Sequence, residues 1–247
     1  MMLKDSSALV RDLFENNRLS ICAGLERDGY FILRNEEVSA LVHAARGEYL
    51  SALDGLEINA QKSRFNRVNL SHRPWRKMAI GATNGVGEPY AQFLTSTYFS
   101  ESTPKFFAIN ALFGVLLGLR DILFNLTDKD ALSGTWNACR IHHYPRGGGF
   151  MSMHKDTHFP KVLGTTGMPF LQVSACMSRR GIDFQNGGGF VVDKLGNKVD
   201  LESYGAIVMF DGNQPHGVDC IDLDVVPDIR SKSGRLAAFT NIYEILD

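Results

Sequence analysis

The chain has 247 residues, 44% apolar and 21% charged, values ordinary for a folded globular protein and unlike those of disordered or coiled-coil sequences. Its 26 Lys and Arg against 27 Asp and Glu leave a formal net charge of −1 and a pI near 6.7. That balance argues against a nucleic-acid or membrane partner and favours a small-molecule substrate.

Cys22, Cys139, Cys176 and Cys220 form no C-x-x-C pair, so a zinc knuckle or disulfide framework is not expected. The start lacks a signal-peptide pattern, and the longest apolar stretch, Phe106 to Leu119, is too short for a bilayer. A reducing, cytoplasmic location is the expectation.

In chain order, Asp5 or Ser6 can cap a first helix that carries Leu9, Val10, Leu13 and Phe14 on one face. Asp28-Gly29 turns the chain into a strand, Tyr30 to Leu33, and Glu36 to Leu53 reads as a helix with Val38, Leu41, Val42, Ala45 and Tyr49 inward. From Asp54 to Pro104 the periodicity breaks down, with Arg64, Arg67, Arg73, Arg76 and Lys77 interleaved with Phe65, Pro74 and Trp75. A basic, aromatic loop of this length suggests a lid or a substrate-recognition segment, the alternative being a solvated surface loop. Pro104 is placed near the first turn of a third helix, which runs to Phe124 and is apolar nearly all round, hence buried against a sheet.

From Thr135 the pattern changes to short strands: Trp136 to Tyr144, Phe150 to His154, Phe170 to Met177, Gly189 to Asp193, Ala206 to Phe210, His216 to Ile221 and Leu236 to Ile245. Glycine-rich turns at 146–149, 186–189, 195–197 and 211–213 separate them. The expected architecture is a single domain over 1–247, an all-β core with flanking helices (α+β), built as a cupin-like jelly roll. Residues 1–134 supply helical support and a lid region, and 135–247 the jelly-roll core.

Within the core, side chains at i and i+2 of an extended strand share a face, so His154 and Asp156 can reach one ion while Lys155 points outward. The turn Asp211 to Pro215 delivers His216 at the start of another strand. Two imidazoles and one carboxylate with coordination positions left open suit Fe(II). By itself His-x-Asp is weak, and His142, His143 and His158 compete as ligands. Arg235 opens the last strand; a buried arginine is costly unless a carboxylate meets it, so an arginine with no protein partner implies an acid ligand.

Thr135 to Glu244 resembles the Fe(II)/2-oxoglutarate-dependent dioxygenases, whose fold is a double-stranded β-helix. The family pattern of His-x-Asp, a long spacer, His, and an Arg at the start of the last core strand matches His154, Asp156, His216 and Arg235. Tyr144-Pro145, a glycine-rich turn and then His-x-Asp is similar to the prolyl-hydroxylase type, and compact amino-acid hydroxylases and halogenases are further members.

The resemblance implies that His154, Asp156 and His216 hold Fe(II), and that Arg235 binds the far carboxylate of 2-oxoglutarate with Tyr144 and His142 beside it. O2 reduction and release of succinate and CO2 would then be coupled to hydroxylation of an aliphatic carbon. Asp156 favours hydroxylation over halogenation, since related halogenases carry Gly or Ala there. Two departures stand out: Arg235 follows His216 by nineteen residues instead of about ten, and position 237 is alanine where an Arg-x-Ser partner is frequent.

Substrate contacts are expected among Arg140, which shares strand parity with Tyr144, Thr157 and His158 beside the metal ligands, and Arg73, Trp75 and Arg76 of the loop. These arginines suit a small substrate with an acidic group, such as an amino acid or a natural-product intermediate. The rivals are a non-catalytic jelly-roll metal protein, a zinc hydrolase or cupin isomerase that uses no 2-oxoglutarate, and an oxygenase acting on a peptide side chain.

Overall fold

The computed structural model describes residues 6–59, 74–82, 90–100, 103–123, 135–156 and 171–244. Three helices, α1 (Ser6–Arg27), α2 (Glu36–Ala52) and α3 (Phe107–Leu123), cover one side of the sheet. Asn35 caps α2 by accepting from the Val38 amide at 3.1 Å, and Val38, Leu41, Val42, Ala45 and Tyr49 are the residues that α2 buries. Helix α3 buries Ile109, Leu112, Phe113, Val115, Leu116 and Leu119, the larger side chains contributing about 1.5–3 kcal/mol each. It starts at Phe107, after a turn in which Lys105 has φ +70°, so Pro104 precedes the helix instead of sitting in its first turn.

The strands are β1 (Tyr30–Leu33), β2 (Ile58–Asn59), β3 (Trp75–Gly81), β4 (Gln92–Phe99), β5 (Thr135–Pro145), β6 (Gly149–His154), β7 (Leu171–Cys176), β8 (Gly188–Val192), β9 (Lys198–Asp200), β10 (Ile207–Asp211), β11 (His216–Ile221) and β12 (Gly234–Glu244). The last eight pair as one long nested hairpin: β5 with β12, β6 with β11, β7 with β10 and β8 with β9, all antiparallel. Lateral pairings of β12 with β7 and β11 with β8 wind that hairpin into two runs, β1-β10-β7-β12-β5-β4 and β6-β11-β8-β9, which meet where β4 pairs with β6. This is the double-stranded β-helix, an all-β core with flanking helices.

Alternation along the strands divides the large run into two faces. Cys139 and Ile141 of β5, Leu236 and Ala238 of β12, and Val173 and Ala175 of β7 pack with the helices. Their neighbours Arg140, His142, Tyr144, Arg235, Phe239, Asn241, Gln172 and Ser174 therefore face the interior of the β-helix.

One expectation is corrected. The 54–104 stretch, expected to lack regular structure, contains β3 and β4, which extend the large run beyond β5. Within it, 60–73, 83–89 and 101–102 lie outside the described residues. Strand β9 was also missed; at three residues with alternate exposure it leaves too short a pattern to read.

Candidate active site

The hairpin β6–β11 brings the three expected ligands together. His154 closes β6, His216 opens β11, and the two are Cα partners in the pairing. Asp156 lies two residues past β6, fixed by its amide donating to the Gly212 carbonyl at 2.9 Å. One ligand atom from each of the three lies within 4.8 Å of the others. His154 Nε2 is 3.8 Å from Asp156 Oδ1, and His216 Nε2 is 3.5 Å from Asp156 Oδ2.

Both imidazoles are locked in the same way. His154 Nδ1 is 2.9 Å from the Ser152 carbonyl and His216 Nδ1 is 2.9 Å from the Gln214 carbonyl. A carbonyl can only accept, so each Nδ1 carries the proton and each Nε2 presents its lone pair to the shared centre. Tyr90 stacks on His154 at 4.1 Å between ring centroids, and Phe210 lies 4.9 Å from His216. The donor set, its tautomers and its spacing fit a divalent metal ion.

The Arg235 guanidinium is buried on the interior face, next to Tyr144, its Cα partner, whose ring it overlies at 5.3 Å. A protein carboxylate does meet this arginine, so the acid-ligand inference cannot rest on its lacking a partner. Its Nε pairs with Glu202, which also accepts from the Gly189 amide at 2.6 Å. Burial opposes the charge on Arg235, but Glu202, Tyr144 and Cys176 outweigh it and hold its pKa above the ordinary arginine value. One guanidinium nitrogen, Nη1, is nonetheless buried with no hydrogen-bond partner among the described residues. Gly189 has no Cβ where one would press on Nη2. A buried, unpaired guanidinium donor fits the terminal carboxylate of a small acid.

His142 Nδ1 lies 3.2 Å from Tyr144 Oη. Burial first, then the cations Arg140, Arg235 and Lys77, push the His142 pKa well below the usual histidine value, so the ring is neutral. Burial likewise raises the Tyr144 phenol to about 12, against the pull of Arg235 and Arg140. Arg140 faces inward between Tyr98 and Phe239 and donates to Asn241 Oδ1 at 3.3 Å. Trp75 packs against Tyr98 at 5.9 Å and Lys77 sits over the same ring at 5.5 Å, so the interior wall is cationic and aromatic.

Arg76 does not join this wall. Being one residue out of phase with Trp75 and Lys77, it points to the helix side, where it donates to Thr95 Oγ1 and the Ile229 carbonyl. Arg73, Thr157 and His158 lie outside the described residues. The sequence reading missed Glu202, Gln172, Asn241 and Tyr90, because an isolated polar residue carries no periodic or spacing signal. Gln172 and Asn241 were nevertheless visible as polar residues inside apolar strands.

No protein-family model and no curated protein matches the sequence. The structure is similar to a prolyl hydroxylase from Trichoplax adhaerens, solved with a hypoxia-inducible-factor oxygen degradation domain peptide, with a TM-score of 0.57 and 14% identity over 94% of this chain and 92% of that one. It is similar to a Pseudomonas putida prolyl-4-hydroxylase, with a TM-score of 0.53 and 15% identity over 91% of this chain and 97% of that one. A 2OG-Fe(II) oxygenase-family oxidoreductase from Burkholderia pseudomallei gives 0.51 and 12% over 91% and 89%. At these identities the likeness is one of fold.

Proposed function

We propose that this protein is an Fe(II)- and 2-oxoglutarate-dependent oxygenase that hydroxylates an unactivated C–H bond of a small polar substrate carrying an acidic group. The observation that carries the reading is the pairing of two Nε2-presenting histidines and Asp156 with a buried arginine donor, Arg235 Nη1. A structural metal site has no use for that arginine. The fold shared with 2-oxoglutarate-dependent enzymes supports the same assignment.

His154, Asp156 and His216 would hold Fe(II), which together with 2-oxoglutarate and O2 would supply the oxidising power for C–H cleavage, with succinate and CO2 as by-products. The chain's own residues bind and orient. Arg235 holds the far carboxylate of 2-oxoglutarate, kept in place from behind by Glu202, while Tyr144 and neutral His142 line the same pocket. Arg140 and Lys77 give the substrate's acid a cationic partner, and Trp75, Tyr98 and Phe239 take its apolar body. The clusters Cys176–Val191–Leu201–Val208–Phe210 and Leu94–Tyr144–Phe184–Val218–Ile221 keep water from the interior at either side. A reducing cytoplasm suits both Fe(II) and four free thiols, two of them exposed.

Anaerobic titration of the Fe(II)-loaded protein with 2-oxoglutarate tests the reading. A weak visible charge-transfer band should appear, and replacing Arg235 and Glu202 together by methionine should weaken 2-oxoglutarate binding at least about tenfold, the equivalent of one charge-assisted hydrogen bond. Iron bound with no band would return the assignment to a 2-oxoglutarate-independent metal protein. Succinate release in a screen of amino acids, related small acids and proline-containing peptides then separates the small-molecule reading from the peptide one.

A further inference from the structure

A hydrogen-bonded chain leaves the metal site along the interior face of the large run. Gln172 on β7 donates from Nε2 to Asp156 Oδ2 at 2.6 Å. Asn241 on β12 donates from Nδ2 to Gln172 Oε1 at 3.5 Å, and Arg140 on β5 donates from Nη2 to Asn241 Oδ1 at 3.3 Å. Gln172 and Asn241 are both buried. Their amide orientations are fixed from the two ends: a carboxylate only accepts, so Gln172 must turn its NH2 to Asp156, and a guanidinium only donates, so Asn241 must turn its oxygen to Arg140. The three bonds then run in one direction from cation to anion, and each polarises the next.

We propose that Gln172 and Asn241 are positioning residues that hold Asp156 to single-oxygen ligation and couple it electrostatically to Arg140. The functional meaning of the Arg140 end rests on the preceding reading, which gives Arg140 the substrate's acid. A carboxylate with both oxygens free can chelate a metal through both and consume a second coordination position. Both oxygens face the ligand cluster, Oδ1 3.8 Å from His154 Nε2 and Oδ2 3.5 Å from His216 Nε2; the short bond from Gln172 falls on Oδ2, which makes Oδ1 the better donor and leaves the remaining positions open for other ligands.

The far end of the chain gives it a direction of signalling. An anion seated on Arg140 cancels the positive end, withdraws stabilisation from the Asp156 charge and makes that carboxylate the stronger donor. The link between the acid anchor and the metal thus runs through two neutral amides instead of a conformational change.

Cobalt(II) titration of the metal-free protein, followed by its visible absorption, tests the chain without turnover. The spectrum reports coordination geometry as well as affinity, and circular dichroism checks that each variant folds. Gln172→Leu is expected to weaken cobalt binding about 10–100-fold, the range for a lost partner of a metal ligand, and to change the spectrum toward two-oxygen ligation. Asn241→Leu and Arg140→Met, which leave the direct Gln172 bond intact but withdraw the positive end as a seated anion would, should tighten cobalt binding a few-fold. The Gln172→Leu/Arg140→Met pair should bind cobalt as Gln172→Leu alone does, since the chain is already cut. Additive effects in the pair, weaker cobalt binding in Arg140→Met, or a wild-type spectrum in Gln172→Leu, would overturn the relay and leave the metal site standing. Should Gln172→Leu fail to fold, additivity of Asn241→Leu with Arg140→Met decides the point. Cobalt binding indifferent to Asp156→Ala would instead overturn the metal site itself.

Discussion

At Arg235 two requirements meet in one side chain. Its buried pair with Glu202 keeps the guanidinium charged and oriented, yet leaves Nη1 unspent. Removing the arginine alone strands a buried carboxylate, which costs about 3–5 kcal/mol, whereas removing both partners can be nearly neutral. Arg235→Met is therefore expected to lower thermal stability severely. The Arg235→Met/Glu202→Met pair should recover most of it without recovering 2-oxoglutarate binding, a separation that thermal denaturation and ligand titration read independently.

His143 makes a second prediction at this scale. It faces the helix side, its Nε2 lies 2.9 Å from the Ser233 carbonyl, and burial lowers its pKa to about 4. Between the ordinary histidine value near 6.5 and about 4, the unfolded chain binds a proton that the folded chain refuses, so stability falls as pH falls through that window, by on the order of 3 kcal/mol. Metal-free protein should lose Tm steadily from pH 6.5 to 4, and His143→Gln should flatten part of that decline. An unchanged slope would remove His143 as its source.

The site depends on how strands are registered as much as on which residues they carry. His154 faces His216 because β6 and β11 pair in register there, with irregularities further along the pair. At Gly217 a Cβ would sit 2.7 Å from the Met151 carbonyl and 3.0 Å from the Phe190 ring, so even alanine would push β11 off β6. Gly217→Ala is expected to weaken cobalt binding while leaving 2-oxoglutarate recognition at Arg235 less affected. Gly189→Ala should do the reverse, because its Cβ would press on the Arg235 guanidinium and not on a metal ligand. The two titrations, run on both variants, check the crossing pattern.

Strand assignments in the core were legible because glycine turns separate apolar runs. β3 and β4 were not, since Trp75–Gly81 and Gln92–Phe99 lack clean alternation: Arg76 is buried on the helix side and Ser96 and Thr97 face opposite sides while both are buried.

For the molecule as a whole, the helices and the metal site occupy opposite faces of the large run, so stability and chemistry are separable. Leu116→Ala, a fully buried change in α3, is expected to cost about 2–5 kcal/mol, seen as a lower Tm with cobalt affinity retained. Metal binding should act the other way. Its ligands lie on either side of the β6–β11 pairing, so an ion at a hundredfold excess over its Kd adds about 2.7 kcal/mol of stability and raises Tm by about 5–10 °C. A chelator should reverse the gain in wild type and leave Asp156→Ala unmoved.

The sequence by itself determined the core strands apart from β9, and the three residues, His154, Asp156 and His216, that the fold brings together as candidate metal ligands. Strand period, glycine turns and a His-x-Asp spacing are local, and local patterns survive without coordinates. It also singled out Arg235 as an arginine entering the interior. Only the tertiary structure decided what that arginine meets, since Glu202 lies 33 residues away in the loop between β9 and β10. It alone joined Gln172, Asn241 and Arg140 into one chain from three strands, and turned Arg76 away from Trp75 and Lys77. Contacts across strands depend on register, and register is fixed by which faces bury together when the whole sheet closes.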